Sequence, residues 1–169
     1  GERWQWDGVD FEFLHPPAGS RYSGNDASCV LRISNAAGSV LFTGDIGTRI
    51  ENQLVRTVPD RLESQVVVAA HHGSRSSSSM DFVAATNPAY VLYSAGSKNR
   101  YGFPAGPVVD RWRDEGASGL STAVMGTISI RFLNDGRILR PEGYRRQNKR
   151  FWWHHSGLAE PVHAVSSGD

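Results

Sequence analysis

Two apolar, strand-like runs each end in side chains that packing alone does not explain. The run 41-LFTGD-45 ends in Asp45, and the run 66-VVVAAHH-72 ends in His71 and His72. A carboxylate and imidazoles are ligands for zinc, manganese or iron, and histidine also acts as a general acid or base near neutral pH. Residues just beyond the carboxyl ends of strands collect at one edge of a layered α/β sheet, so we expect these three side chains to share a site.

Simpler structural roles compete with this interpretation. Asp45 is also a suitable N-cap for the helical pattern that follows it. A pair of adjacent histidines also occurs with one ring satisfied in the core and the other in solvent. Gly73, which follows the pair, permits close backbone approach and favours a functional role for the histidines.

A run of small hydroxyl residues follows the histidines and begins at Ser74. It does not contain the G-x-S-x-G pattern of a nucleophile elbow. A flexible linker is also disfavoured, because the serines lead directly into the helical pattern 80-MDFVAAT-86. We predict that Ser77 to Ser79 cap this helix, and that Ser74 is available to hydrogen-bond His71 or a bound phosphate.

A polar cluster follows the next apolar run, 90-YVLYSA-95. It contains Lys98, Asn99 and Arg100, and the cationic side chains in it suit a phosphate group. A solvated loop is the alternative. Lys98 and Arg100 are therefore candidates for phosphate binding.

The end of the chain loses its periodicity and becomes basic and aromatic. Cations beside stacking rings are the combination that holds single-stranded nucleic acid. The same residue types favour a membrane interface, and a third possibility is a strap that packs back on the domain. The predicted nucleic-acid arm comprises Arg145, Arg146, Lys149, Arg150, Trp152 and Trp153.

The remaining segments alternate between strand and helix patterns. Hairpins are predicted over 29–44 and over 127–141, and Asn25, ahead of the first, indicates an Asx turn. Between the hairpins, helical patterns alternate with short apolar runs typical of buried strands. The helical patterns cover 46–55, 80–86 and 107–116, and the apolar runs cover 66–70 and 90–95. This order predicts an α/β fold with a mixed β-sheet and helices on the outside.

The composition suits one globular domain. The chain has 169 residues, 39% of them hydrophobic and 21% charged, and its formal net charge is +1. A charge so near zero does not demand a polyanionic partner, so any basic surface must be local. The single cysteine, Cys29, excludes an internal disulfide and a multi-cysteine zinc site. No run approaches the roughly 18 apolar residues of a membrane span.

The order of these motifs resembles that of a known family. The motifs are 25-NDASCVLRI-33, 43-TGDI-46, 71-HHGSRSSSS-79 and 99-NRYGFP-104, followed by a closing stretch over 116–130. Together they resemble the C-terminal metallo-β-lactamase-like domain of ComEC-type DNA internalisation proteins of natural competence. The likeness spans roughly residues 10 to 132, and the order of the motifs is specific although each motif alone is weak.

The resemblance implies a metallo-β-lactamase-like αββα fold, in which two mixed sheets are covered by helices. It implies that Asp45 and His72 bind metal and that His71 and His72 act in catalysis at the same pocket. Zinc or manganese would then activate water to hydrolyse a phosphodiester of single-stranded DNA. The residues implied to contact the substrate are Ser74, Asn99 and Arg100. The implied setting is a soluble domain on the extracytoplasmic side of an inner-membrane protein.

The sequence departs from the family pattern at three points. The histidine and aspartate cluster that should precede the TGD strand is missing, since the only upstream histidine is His15. Phe103 stands where many relatives have histidine, and Thr122-Ala123 stands where a Thr-Asp pair is usual. One carboxylate and two histidines do not furnish a two-metal site, so we expect the chain by itself to be inactive or nearly so.

We therefore expect an incomplete domain: its C-terminal part over residues 1–143, and the arm and tail over 144–169. The strand-like start of the sequence favours a missing part that lies upstream in a longer polypeptide. Such an incomplete sandwich would expose one sheet face to the remainder of the parent protein or to a second copy of the chain. A non-catalytic module that binds single-stranded DNA through the arm is the alternative.

Overall fold

Strands and short helices alternate along residues 1–148, the part of the chain that the computed structural model describes. The strands are β1 (Arg3–Trp6), β2 (Val9–His15), β3 (Val30–Asn35), β4 (Gly38–Phe42), β5 (Val66–Val68), β6 (Tyr90–Tyr93), β7 (Ser118–Ser121), β8 (Ile128–Ser129) and β9 (Glu142–Gly143). The α-helices are α1 (Thr48–Thr57), α2 (Met80–Thr86), α3 (Gly106–Asp114), α4 (Thr122–Met125) and α5 (Tyr144–Gln147). None of these helices is long and apolar enough to cross a bilayer.

Within the described residues, strands β1 to β7 form one sheet in their sequence order. The strands from β1 to β4 pair antiparallel, whereas those from β4 to β7 pair parallel. Each parallel connection contains one of the helices α1, α2 and α3, because parallel neighbours require a crossover connection. The predicted α/β class with a mixed sheet is therefore confirmed.

Helices α1, α2 and α3 cover one face of this sheet. Crossovers of the usual right-handed kind, all running in one direction along a sheet, place their helices on the same side. Leu41 of β4 and Val67 of β5 are paired in register, and both are fully buried beneath the helices. The helices contribute Ile50, Phe82 and Trp112 to the same buried cluster. Burial of each such side chain contributes about 1.5–3 kcal/mol to folding.

The opposite face of the sheet is apolar, but among residues 1–148 none of its side chains belongs to that buried cluster. Phe11, Ile33 and Val40 are cross-strand neighbours on this face, and all three remain half-buried. On the same face, Phe42 is 41% exposed and Trp6 is 73% exposed. This face is covered only in part, since Val66 of β5 lies on it and is buried. A sheet that helices cover on one face alone is consistent with an incomplete αββα sandwich. Contact of this face with the remainder of the parent protein or with a second copy stays a prediction.

Helix α1 starts later than the sequence indicates. It begins at Thr48 with Gly47 as its N-cap residue, so the alternative role of Asp45 as a helix cap is wrong. The Thr48 N–H group donates instead to the Ser76 carbonyl, at 2.9 Å. Ser76 belongs to the segment 74–79, which we call the serine loop. Because the serine loop satisfies this helical N–H group, the Asp45 carboxylate is left for other contacts.

The segment after β7 also differs from the prediction. Only the middle of the hairpin predicted over 127–141 is formed, since β8 keeps only Ile128 and Ser129 and pairs with β9. Around the predicted turn, Phe132 and Ile138 form a bridge, and backbone hydrogen bonds join residues 131–133 to residues 137–139. Local alternation does not suffice here, because an isolated two-stranded hairpin is only marginally stable.

A buried carboxylate, rather than a serine hydroxyl, caps helix α2. Ser79 occupies the N-cap position, but its side chain makes no capping hydrogen bond. The Glu51 carboxylate of α1 accepts the N–H groups of Ser78, at 2.6 Å, and Ser79, at 2.7 Å. The Arg111 guanidinium of α3 donates to the Ser78 carbonyl. Ser79 therefore occupies the predicted N-cap position. Capping by a serine hydroxyl is wrong, because groups from two neighbouring helices hold the loop instead.

The environment of Glu51 is that of a structural group. Its side chain is fully buried, and this burial raises the pKa of its carboxyl above the ordinary value. The N–H groups of Ser79 and Ser78 and the charge of Arg111 act in the opposite direction. Glu51 thus links α1 to the start of α2 at a position that excludes water.

Replacement of Glu51 by glutamine tests this capping role. The amide keeps one acceptor oxygen, but its NH2 group faces an N–H donor, so one buried N–H group loses its partner. We expect the free energy of unfolding, measured by urea denaturation, to fall by about 1–3 kcal/mol. The matched control, Glu63→Gln at an exposed position, should change it by less than about 0.5 kcal/mol. Equal stability of the two variants would contradict the capping role.

Candidate functional site at the carboxyl edge of the sheet

Four chain segments meet at one edge of the sheet. Because β4, β5 and β6 are parallel, the segments that follow them leave at the same edge. These segments are 43–47, 69–79 and 94–105. Strand β3 is antiparallel to β4 and starts at this edge, so the loop that precedes it also arrives there. We call this region the carboxyl edge.

Three consecutive residues after β5 adopt the left-handed conformation. His71, His72 and Gly73 have φ angles of +48°, +58° and +83°. For a histidine this conformation costs about 1–3 kcal/mol, and residues strained in this way cluster at functional sites. The His71 N–H group donates to the Gly44 carbonyl at 3.0 Å, and the Ala105 N–H group donates to the Gly73 carbonyl at 2.9 Å. We call His71, His72 and Gly73 the histidine turn. These bonds tie the histidine turn to the segments that follow β4 and β6.

Asp45 and His72 are in contact at this edge. The Nε2 atom of His72 lies 3.5 Å from Oδ1 of Asp45. Their side chains are 47% and 44% exposed, so a ligand can reach both. A carboxylate beside an imidazole orients the ring for proton transfer or for a hydrogen bond to an anion. The structure brings Asp45 and His72 together, as expected from the strand ends, while their shared metal-binding and catalytic roles stay predictions.

His71 contacts a different set of groups. Its Nε2 atom lies 3.5 Å from the amide nitrogen of Asn25, in the loop before β3. Its ring is edge-on to Phe103, with centroids 5.8 Å apart, and lies 6.4 Å from the ring of His72. The Phe103 ring is also 6.3 Å from the His72 ring. Phe103 therefore lies against both imidazoles.

Asp26 fixes the loop that carries Asn25. Its carbonyl accepts a hydrogen bond from Nε2 of the buried His15, at 2.7 Å. Its carboxylate accepts two hydrogen bonds from Arg49 of α1, at 2.9 and 2.6 Å. The sequence predicts only a turn here and gives no direct indication of the contact between Asn25 and His71. The predicted hairpin of β3 and β4 was the one indication of this contact, because antiparallel pairing brings the loop before β3 to the carboxyl edge.

Ser74 takes part in the hydrogen bonds of the serine loop. Its side chain is almost buried, and its hydroxyl lies 3.1 Å from the Ser76 hydroxyl. Its contact with His71 is made by the backbone, because the Ser74 N–H group donates to the His71 carbonyl at 3.0 Å. A phosphate contact by the Ser74 hydroxyl stays a prediction.

Asn99 organises its own loop. Its Oδ1 atom accepts the Phe103 N–H group at 2.8 Å. Its Nδ2 atom donates to the carbonyls of Phe103, at 2.8 Å, and Gly96, at 2.9 Å. The predicted substrate contact of this side chain therefore competes with three internal hydrogen bonds, whereas Arg100, the next residue, is exposed.

The carboxyl edge has a local excess of positive charge. Arg75, Lys98 and Arg100 are exposed, and within residues 1–148 none of them forms an ion pair. Arg49, by contrast, is neutralised by Asp26. Exposed lysine and arginine side chains bind phosphate groups and release their counterions. The local basic surface that a near-neutral chain needs in order to bind a polyanion is therefore available here.

The described part of the chain does not furnish a metal-binding set. No three His, Cys, Asp or Glu side chains within residues 1–148 are placed to hold one metal ion together. Asp45 contacts His72 directly, and His71 contacts Asn25. A catalytic zinc ion usually keeps three protein ligands. These side chains alone do not fit a resident zinc or manganese ion.

Only the start of the predicted nucleic-acid arm belongs to the described residues. Arg145 and Arg146 lie in α5, whereas Lys149, Arg150, Trp152 and Trp153 lie outside the described residues. The Arg145 guanidinium donates to the Ala123 carbonyl, and its side chain packs beside Gly126. Arg145 is therefore engaged with the domain, while Arg146 is exposed. Nucleic-acid binding by this arm stays a prediction.

The fold and the site together define an α/β domain whose polar side chains lie at the carboxyl ends of parallel strands. No protein family model matches the chain. Competence protein ComA of Neisseria gonorrhoeae is 40% identical over 152 residues, which cover 90% of this chain and 21% of that protein. Recombination protein 2 of Haemophilus influenzae is 30% identical over 135 residues, 80% of this chain and 17% of that protein. ComE operon protein 3 of Bacillus subtilis is 30% identical over 134 residues, 79% of this chain and 17% of that protein.

The chain thus spans about a fifth of the length of the curated relatives that it matches. The resemblance to ComEC-type proteins, predicted from the order of the motifs, is confirmed. Over 79–90% of its length the chain is similar to a segment of these competence proteins, which is consistent with a ComEC-type C-terminal part. The homology covers Asp45, the histidine turn and the loop of Phe103, since it extends over 79–90% of the chain.

Gly73 is the point at which the histidine turn fits against its neighbours. A Cβ atom there would lie 2.7 Å from the Cβ atom of Pro104 and 3.0 Å from the ring of Tyr93. Tyr93 is buried, and this burial, with a contribution from the Asp110 carboxylate, raises the pKa of its hydroxyl well above the ordinary value. Tyr93 is therefore neutral near pH 7 and serves the packing beneath the turn.

Replacement of Gly73 by alanine tests this packing. The added methyl group meets Pro104, and the left-handed φ angle of +83° disfavours any side chain. We expect the free energy of unfolding to fall by more than about 2 kcal/mol in urea denaturation. In the matched control, Gly96→Ala, the methyl group meets nothing within 4 Å, and stability should change by less than about 1 kcal/mol. A Gly73→Ala variant as stable as the control would contradict close packing of the turn.

Proposed function

We propose that the chain is the part of a ComEC-type DNA-uptake protein that binds the phosphate backbone of single-stranded DNA at the carboxyl edge. The observation that carries the proposal is the contact of Asp45 with His72 on a turn whose two histidines have left-handed backbones. A surrounding structure that maintains such strain is typical of functional sites. The similarity to competence proteins supports a nucleic acid as the ligand.

In this proposal, the imidazoles and the nearby cations bind phosphate oxygens. His72 donates a hydrogen bond to one phosphate, and Asp45 holds its ring in place. His71 lies at the adjacent position of the same turn and contacts a neighbouring oxygen. Arg75 and Lys98 are exposed beside the turn and attract the strand before contact. Imidazole, guanidinium and ammonium groups are all donors suited to a phosphodiester.

Hydrolysis of the phosphodiester, as a further step of the proposal, belongs to the complete domain. A metal ion that activates water requires protein ligands in addition to Asp45 and His72. Residues 1–148 do not bring three such ligands together. We propose that the remainder of the parent protein supplies the missing ligands and that zinc or manganese is bound there. The chain by itself then binds DNA without cleaving it.

The affinity for a fluorescently labelled single-stranded oligonucleotide, measured by anisotropy, tests the proposed phosphate contacts. A double variant, His71→Ala with His72→Ala, should lose roughly tenfold or more in affinity, because two donors to charged phosphates are removed. The control variant is Arg137→Gln. Arg137 follows Gly136, which lies beside Asn35 and Gly38 at the other end of β4, and its loss should change the affinity by no more than about twofold.

The same assay distinguishes the carboxyl edge from the basic aromatic arm. Full affinity in the double histidine variant, with loss of binding in Trp152→Ala combined with Trp153→Ala, would contradict the proposal and favour the arm. Binding of the unchanged chain should also weaken as salt increases, since phosphate contacts release counterions.

Metal analysis tests whether the chain lacks a complete catalytic site. After dialysis against zinc or manganese, we expect well under one ion per chain by mass spectrometry, because two or three isolated ligands bind weakly. Cleavage of single-stranded DNA should be no faster than in the Asp45→Asn variant. One tightly held ion per chain, together with cleavage that Asp45→Asn abolishes, would contradict the account.

A further inference from the structure

A row of side chains extends from the histidines into solvent. The Phe103 ring lies against both imidazoles, and the Tyr101 ring stacks on Phe103 with 5.5 Å between centroids and 18° between planes. The Arg100 guanidinium lies over the Tyr101 ring, 4.8 Å from its centroid, and donates to the Tyr101 hydroxyl at 2.6 Å. We call Arg100, Tyr101 and Phe103 the stacking row.

The loop that carries the stacking row fixes its orientation without burying it. Tyr101 is 63% exposed, so core packing does not hold its ring. Gly102, with a φ angle of +67°, lets the chain turn between the two rings. Asn99 closes the loop through its hydrogen bonds to Phe103 and Gly96. An aromatic ring presented to solvent in a fixed orientation is preorganised for a flat ligand.

We propose that the stacking row binds a base of single-stranded DNA and thereby places the adjoining phosphate beside His72 and Asp45. This inference rests on the proposed function and identifies the part of the strand that the row recognises. Every base has a π-face, so stacking on Tyr101 or on the Arg100 guanidinium does not depend on sequence. Bases in a duplex are already stacked on their neighbours, so the row selects single strands.

The charges around the row favour the phosphates that flank such a base. Lys98 lies in the same loop as the row, and Arg75 lies in the segment that follows β5. Both are exposed, and neither has an ion-pair partner in the described part of the chain. Asp45, the carboxylate of the site, is in contact with His72. A strand with a base on Tyr101 therefore meets positive charge along its backbone.

Removal of the Tyr101 ring tests the proposal. In the full 169-residue chain, Tyr101→Ala should lower the affinity for a labelled oligothymidine strand by about 5- to 150-fold, the effect of losing one stacked base. Tyr101→Phe keeps the ring and should bind within about threefold of the unchanged chain. The matched control, Trp6→Ala, removes an exposed ring from β1, away from the carboxyl edge, and should leave the affinity unchanged.

A change in the ligand provides a test that does not depend on the stability of a variant. A strand of the same length built from abasic sugar phosphates should bind the unchanged chain as weakly as oligothymidine binds Tyr101→Ala. The Tyr101→Ala variant should discriminate little between the two strands, because the ring and the base form one interacting pair.

The outcomes separate this inference from the proposed function. Equal affinity of the unchanged chain for the intact and abasic strands, with the loss in the double histidine variant preserved, would overturn base stacking and leave the phosphate site standing. Equal affinity of the unchanged chain, the double histidine variant and Tyr101→Ala for the intact strand would overturn both.

Discussion

The hydrogen bond from the His71 N–H group to the Gly44 carbonyl is the interaction on which the site depends. It joins the ends of β4 and β5, and it forms because these strands are parallel and finish at the same edge. Thr43 adds a second link, since its buried hydroxyl donates to a backbone carbonyl of β5 at 2.6 Å. Backbone geometry therefore brings Asp45 to His72, and the sheet itself maintains their separation.

The left-handed histidine turn is stable because rigid groups surround it. Beneath the turn, Gly73 fits against Pro104 and Tyr93 with no space for a side chain. Beyond it, Glu51 and Arg111 hold the serine loop from helices α1 and α3. The conformational cost at the two histidines is offset by these contacts. The His72 side chain is therefore exposed, and that of His71 half-buried, on a fixed backbone. Such a site is suited to bind a flexible strand, because the protein loses little entropy on binding.

Several features of this site could be predicted from the sequence. The features that could not are contacts between residues that lie far apart in the sequence. The helix over 80–86 has the predicted bounds because its periodicity is local. The meeting of Asp45 with the histidines follows from the rule that parallel strand ends share an edge. Glu51, however, has the sequence appearance of an ordinary helix surface charge, and only packing makes it a cap. The contacts of Asn25 and Phe103 with the histidines join distant loops that no local pattern relates.

The central claim is that DNA phosphates contact the histidine turn, and the imidazole signals in a long-range nitrogen-15 NMR spectrum test it most directly. On addition of a short single-stranded oligonucleotide, the signals of His71 and His72 should shift, while that of the buried His15 should not. The remaining histidines, His154, His155 and His163, lie in the C-terminal segment and report on the arm. Shifts confined to His154 and His155, with His71 and His72 unchanged at saturation, would contradict the account.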